Sequence, residues 1–388
     1  MVTMSLCMIV KNEAKTLERC LRSVEGIPDE IVIVDTGSVD STKEIAGSFT
    51  SRVSDFKWVD DFSIARNHSF DQATMDYILW LDADDVVLPE DRIKLLELKN
   101  ILAPSVDAVS MRYHTAFDGS SNVTQSTRRL RMVRRAKNFV WVGVVHEDLV
   151  TEGAYYYFDS DIVVTHQKPF GQAGPSGRNL RIYEKHFEQG REMSLADLFH
   201  YARECDKNKE YEKAILYYRQ FLERKDVDLD LTLDTLHKLA TCYYKTGNLE
   251  KEWECTLKSI ELDIPRPEFS CRFGERFLKH DQFRQAIFWY ELALQEREDN
   301  VSHRLVANYA FKTWLPHRQL GLCYYRIGDY ESSLHHNKLA RQYLPGDPDI
   351  ETNIRLLEKL VSGTTEQQKG EKATALLMGE LRSEFDRT

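Results

Sequence analysis

From Leu195 onward one pattern returns four times. Short polar turns at 208–210, 246–248, 280–282 and 327–329 each precede an apolar residue, Tyr211, Leu249, Phe283 or Tyr330, that opens a helix. These four residues are separated by 38, 34 and 47 positions. A helix–turn–helix unit of that length cannot bury its apolar face alone, so successive units must stack on one another. The stretch Leu239-Ala240-Thr241-Cys242-Tyr243-Tyr244 is nearly copied at Leu320-Gly321-Leu322-Cys323-Tyr324-Tyr325. This reads Cys242 and Cys323 as small packing residues of two equivalent helices, not as reactive thiols. Leu344-Pro345-Gly346-Asp347-Pro348 closes the series, and the segment after Ser362 is polar. The second half is therefore expected to be all-α.

The first hundred residues follow a different rhythm. Apolar runs at Ser5–Val10, Glu30–Asp35, 52–59 and 77–81 read as strands; the segments from Ala14 to Val24 and from Ser41 to Phe49 read as helices. Strands alternating with helices imply a mostly parallel sheet, which binds ligands beyond the carboxyl ends of its strands. From Ala108 to His166 the pattern becomes β-rich, and the glycines of 171–177 mark a loop.

Bulk properties narrow the function. The 388 residues carry 52 Lys and Arg against 62 Asp and Glu, a net charge of -10. That balance speaks against general nucleic-acid binding, which needs a cationic surface to displace counterions. No apolar run reaches the roughly 20 residues of a membrane span. Residues 1–10 lack the basic-then-apolar layout of a signal peptide and read as the first strand. Seven scattered cysteines contain no Cys-x-x-Cys pair, so neither a disulfide framework nor a zinc knuckle is indicated. A reducing cytoplasm is the expected setting.

The chemistry gathers at strand exits. Asp82-Ala83-Asp84-Asp85 follows an apolar strand directly, where carboxylates can hold a hard cation such as Mg²⁺ or Mn²⁺ with sites left for diphosphate oxygens. The bland reading is a set of solvated acids and a cap for a helix over 89–98. Asp40, Ser38 and Thr42 have the same alternative as helix caps. Arg128, Arg129, Arg131, Arg134 and Arg135 form a basic run that is either a strand facing an anion or a solvated face.

Together these blocks resemble family 2 glycosyltransferases, whose GT-A fold is a Rossmann-like nucleotide-sugar-binding domain. The resemblance is carried by Cys7 to Glu13, Val34 to Thr42, Asp61 to Asn67, Leu81 to Asp85, Trp141 to Leu149 and Thr165-His166. The helical half resembles tetratricopeptide repeats, and the combination is similar to the sublancin-type peptide S-glycosyltransferases. The resemblance implies that Ile9, Val10, Asn12 and Glu13 line the nucleotide pocket. It implies that Asp35 accepts hydrogen bonds from a uracil ring, with Gly37 and Ser38 in the turn beside it. Arg66 is then expected against the base or diphosphate, with Asp82 and Ala83 on the ribose side. Asp84 and His166 are the expected metal ligands. Glu147 is the expected base for the acceptor proton, with His146 orienting it or touching substrate; the alternative is that the two merely close a hydrogen-bonded turn. Arg178 and Asn179 are expected to reach the diphosphate.

The fold class is thus α/β plus all-α, divided as a catalytic domain over 1–190, helical repeats over 191–360 and a tail over 361–388. The implied reaction moves a sugar from a UDP-sugar, with inversion and a divalent cation. The acceptor is a peptide or protein hydroxyl or thiol held by the repeats, which alternatively support a homodimer. Two other readings stand: a cell-envelope glycan transferase, and a nonenzymatic scaffold with a degenerate transferase domain.

Overall fold

The computed structural model describes residues 1–118, 122–167, 177–225, 227–295 and 307–362. It divides into two compact units: one of Met1–Thr115 with Ser126–Arg224, the other of the described residues within 116–125 and from Lys225 onward.

The first unit opens with β1 (Met4–Val10), α1 (Leu17–Ser23), β2 (Glu30–Asp35), α2 (Thr42–Phe49), β3 (Val53–Asp55), α3 (Phe62–Asp71) and β4 (Tyr77–Trp80). These strands run parallel in the order β3-β2-β1-β4, with Val10 opposite Asp35 and Cys7 opposite Trp80. β1 is buried on both faces, as a strand covered by helices must be. Met4, Leu6 and Met8 point into one core with Leu17 and Leu21; Cys7 points into the other with Phe70, Trp80 and Trp141. Because β2 and β4 flank β1 on opposite sides, their chain exits diverge and leave a crevice at the carboxyl ends.

The chain continues through β5 (Asp85–Val87), α4 (Pro89–Ile101), β6 (Ala108–Phe117), β7 (Val123–Arg134), β8 (Val140–Val142), β9 (Asp148–Val150) and β10 (Tyr157–His166). They extend the sheet past β4 as β7-β6-β10-β5, while β8 and β9 pair separately. The expected third strand at 52–59 is shorter, Val53–Asp55, and its pairing with β2 ends where the Phe56 amide bonds the Asp35 carbonyl. The basic run is a strand, as one of its two readings required. Arg131 points into the interior and is fully buried, Arg128, Arg129 and Arg134 are partly buried, and Arg135, just past the strand, is exposed. The glycine-rich loop at 171–176 and the tail after 362 lie outside the described residues.

Helices α5 (Arg178–Glu188), α6 (Leu195–Lys207) and α7 (Tyr211–Leu222) complete the first unit. Tyr201 of α6 packs edge-on against Phe187 of α5 at 5.1 Å. The second unit holds α8 (Leu229–Lys245), α9 (Leu249–Leu262), α10 (Pro267–Lys279), α11 (Phe283–Leu294), α12 (Trp314–Arg326), α13 (Tyr330–Tyr343) and α14 (Pro348–Val361). The four apolar residues that follow the repeated turns each begin the second helix of a pair. Two positions earlier, Lys209, Gly247, Asp281 and Gly328 all take left-handed backbone. The next amide then reaches back to a helix carbonyl: Glu210 to Cys205, Asn248 to Tyr243, Gln282 to Phe277 and Asp329 to Tyr324. This is one helix-ending turn used four times. No helix among the described residues is long and apolar enough to cross a membrane.

Candidate active site

Three strand exits build the crevice. After β1, Asn12 adopts left-handed backbone (φ 57°), which few non-glycine residues tolerate and asparagine tolerates best. Its amide donates to Ser38 Oγ at 2.9 Å, and its own Oδ1 accepts from the Val39 amide at 2.9 Å. The Glu13 amide donates to Thr42 Oγ1 at 2.7 Å, and Asp40 joins the Ala14 and Thr42 amides. Ser38, Asp40 and Thr42 thus lash the loop after β1 to the start of α2. Burial pushes the Glu13 carboxyl up against its hydrogen bond from Thr16, and the charges of Asp84, Asp82 and Asp40 add to that.

After β2, Asp35 Oδ1 accepts from the amides of Gly37 (2.9 Å) and Ser38 (2.8 Å). Gly37 has φ 102° with open space where a Cβ would lie, so backbone freedom and not room explains the glycine. Asp35 is 1% exposed, and its second oxygen, Oδ2, has no hydrogen-bond partner among the described residues. A buried carboxylate oxygen left unpaired is costly and points to an absent donor. Ile9 and Val10 sit at the end of β1 beside this turn, with Val10 packed into the core.

After β4, the acidic run divides its duties. Ala83 is buried among the core side chains. Asp82 Oδ1 accepts from Arg66 Nη2 at 2.7 Å. Asp85 opens β5, which pairs antiparallel with β10 in a register that sets His166 directly opposite Asp85. Asp84, Asp85 and His166 consequently offer ligand atoms within 4.8 Å of one another. His166 Nδ1 lies 3.3 Å from Asp84 Oδ1 and 3.5 Å from Asp85 Oδ1, with the Tyr113 hydroxyl 3.0 Å away. Asp85 Oδ2 is taken by Arg131 (2.9 Å) and the Asp82 amide (2.9 Å); Oδ1 is buried without a hydrogen-bond partner. Two carboxylates and an imidazole fit a divalent cation of the Mg²⁺ or Mn²⁺ kind, with Asp85 Oδ1 as one of the three ligand atoms. Burial lowers the His166 imidazole, but Asp84 and Asp85 outweigh it and hold it at about 9.

A cavity of about 280 Å³ adjoins this cluster, and Asp82 and Tyr113 line it. Arg66, on α3, crosses its floor between the Trp80 and Trp141 rings, 4.9 Å from each centroid. Its guanidinium also bonds Glu147 through Nε. Arg66 was expected against a base or diphosphate; here it joins Asp82 to Glu147. Burial raises the Asp82 carboxyl, but Arg66 and then Arg131 prevail and hold it at about 2. His146, Asp148, Arg129, Arg178 and Asn179 line the same cavity. His146 takes left-handed backbone (φ 54°) and donates or accepts through Nε2 to Glu204 of α6 at 2.7 Å.

The structure therefore brings together Asp84 with His166, Asn12 with Ser38, and Asp82 with Arg66 and Glu147. The Glu147 carboxylate bonds Arg66, and the His146 ring bonds Glu204. Sequence reasoning passed over Asp85 as a ligand, Tyr113, the two tryptophans and Glu204. The pairing of β5 with β10 and the packing of α6 leave no local mark in the sequence, so no motif pointed to them.

Residues 5–187 match the model of the family described as glycosyl transferase family 2. A TPR repeat-containing protein of Synechococcus elongatus is 48% identical over 90 residues, covering 23% of this chain and 22% of that protein. The SPbeta prophage-derived glycosyltransferase SunS of Bacillus subtilis is 27% identical over 302 residues, 75% of this chain and 68% of the relative. Among solved structures, MamA aligns at 19% identity over 44% of this chain and 82% of its own, with a TM-score of 0.33. Glucosyl-3-phosphoglycerate synthase from Mycobacterium tuberculosis, bound to Mg²⁺ and UDP, aligns at 22% over 29% of this chain and 44% of its own, with a TM-score of 0.25. The mixed α/β region is of the GT-A type and the helix pairs are of the tetratricopeptide type.

Proposed function

We propose that this chain, whose residues 5–187 match the glycosyl transferase family 2 model, transfers a sugar from a UDP-sugar to a peptide or protein side chain, with inversion at the anomeric carbon. The observation that carries this reading is the convergence of Asp84, Asp85 and His166 at the exit of β4, in the same crevice as the unpaired Asp35 oxygen. Asp35 Oδ2 is suited to accept the imide N–H of a uracil ring, since its partner oxygen is already fixed by two amides. Asn12, Glu13, Gly37 and Ser38 form the wall beside it. Asp84 and His166 would hold the cation, with Asp85 as the third group. A divalent cation there offsets the charge that develops on the departing UDP.

The acceptor oxygen or sulfur attacks the anomeric carbon as the bond to the UDP oxygen breaks, and that oxygen leaves with the bonding pair. The acceptor proton passes to a base in the His146–Glu147 block at the cavity. Stacked helix pairs provide an extended surface suited to a polypeptide, which supports a Ser or Thr hydroxyl or a Cys thiol as acceptor.

The test is UDP release by the full chain given UDP-glucose, UDP-galactose or UDP-N-acetylglucosamine with Mn²⁺. Turnover is expected with at least one donor, lost on chelation. Asp84→Asn should weaken Mn²⁺-dependent UDP binding by at least roughly 10–100-fold, the cost of losing even an outer partner of a metal ligand. Absence of both turnover and Mn²⁺-dependent UDP binding in the unmodified chain sinks the reading.

A further inference from the structure

Glu204 is a carboxylate where the helical region begins, yet it is 4% exposed and lies against the cavity wall. A buried carboxylate needs partners, and here they are His146 Nε2 at 2.7 Å and the Asn179 amide at 3.4 Å. The loop that presents His146 is pinned on both sides. The Phe62 amide donates to the Val144 carbonyl at 3.0 Å, and the Tyr183 hydroxyl donates to the Val145 carbonyl at 2.9 Å. Immediately after these anchors His146 keeps left-handed backbone, a conformation that costs free energy and concentrates at functional sites. Its ring stacks on His200 at 4.8 Å. Glu147, the alternative base, is engaged by Arg66 and has little exposure of its own.

We propose that Glu204 is a positioning residue that fixes His146 with Nε2–H donated to its carboxylate, leaving Nδ1 free to take the acceptor's proton, while Glu147 serves as the counter-ion of Arg66. This rests on the transferase reading above and names the base within it. A carboxylate that accepts one imidazole N–H selects the tautomer and strengthens the other nitrogen as a proton acceptor. The charged and titratable groups facing His146 are Glu204 and Arg203 of α6, His200 beneath it and Glu147 beside it. Burial keeps the imidazole below its usual range, so it is neutral and able to accept at neutral pH; Glu204 pulls the other way.

Two measurements on the full chain test this. Side-chain ¹⁵N spectra, with His146 assigned by its loss in His146→Gln, should show the neutral tautomer protonated at Nε2. In Glu204→Gln that preference should weaken. Protonation at Nδ1 in the unmodified chain, or an unchanged His146 signal in Glu204→Gln, overturns the proposal without any reference to turnover. In the UDP-release assay with Mn²⁺, Glu204→Gln should lower kcat by roughly 10²-fold, the low end of what a positioned base contributes, with KM for the donor unchanged. Its acid limb should move to lower pH, because a carboxylate that raises the imidazole has been removed. An unchanged kcat and pH profile, or a loss confined to melting temperature, overturns it. If the unmodified chain neither releases UDP from any donor nor binds UDP in the presence of Mn²⁺, the transferase reading falls, and the proposal that His146 is the base falls with it.

Discussion

The Arg66 guanidinium meets two carboxylates and two indoles at once. A cation this buried is tolerable only because Asp82 and Glu147 neutralise it and the ring faces offer further attraction. Removing it leaves two carboxylates facing each other across the cavity. Arg66→Ala is therefore expected to destabilise the first unit by about 3–5 kcal/mol, the usual cost of breaking a buried pair from one side. A shift in urea midpoint of the transition that reports on Trp80 and Trp141 fluorescence checks this. Arg66→Lys should fall between the two, since it keeps charge but loses the planar fork. Asp35 makes a different kind of prediction, because its folded-state bonds use only one oxygen. Asp35→Asn is expected to weaken UDP binding by roughly 10–100-fold, one charge-assisted hydrogen bond, with Mn²⁺ affinity little changed. Calorimetric titration of UDP at saturating Mn²⁺ reads this directly.

Among elements, the pairing of β5 with β10 decides the metal cluster. Shifting the register by one residue would turn His166 to the other face and separate it from Asp84. The repeated helix turns carry their own test. Gly247 and Gly328 occupy the left-handed position at no cost, whereas Lys209 and Asp281 hold the same conformation with a Cβ. Asp281→Gly should accordingly raise stability by up to about 1 kcal/mol, and Gly247→Ala should lower it by a similar amount. Helix spacing adds a steric case. A Cβ at Gly274 would fall 2.8 Å from the ring of Tyr290, which is 1% exposed and has no room to retreat. Gly274→Ala is expected to cost about 1–3 kcal/mol through overpacking of α10 against α11. Thermal unfolding of these three variants ranks the effects.

On the scale of the whole molecule, the described residues of the second unit include three histidines kept below their usual range. Burial, then the Arg272 charge, lowers His237 well below it, and burial brings His317 and His336 to about 4. A depressed folded-state value means the unfolded chain binds more protons between that value and the ordinary one near 6.5. The stability these groups contribute is thus fully present above about pH 6.5 and is lost as pH falls toward 4. Melting temperature of the helical unit should drop across that window, and His336→Gln should flatten the drop. The extent of the first unit makes a second prediction. Tyr201 covers Tyr183 and Phe187, and Glu204 meets His146, so α6 belongs to the packing of the α/β region. A chain ending at residue 190 should aggregate or unfold without cooperativity, whereas one ending at residue 224 should unfold in a single transition.

Much of this was legible from residue order alone. Periodicity located the parallel strands, the helix pairs and the first residue of every second helix, because these depend on local apolar spacing and turn chemistry. The motif blocks located Asp35, Asp84, His146 and His166, because strand exits mark themselves by polar residues after an apolar run. Partnership was not legible. Whether Asp82 met a ribose or Arg66, whether Arg131 was solvated or buried on Asp85, and what oriented His146 all depended on contacts between residues 16 to 81 positions apart. Side chains of this kind carry the same local pattern whether they face water or one another. Only the closure of the sheet and the docking of α6 decided it, since burial turns an exposed charge into one that must find a counter-charge.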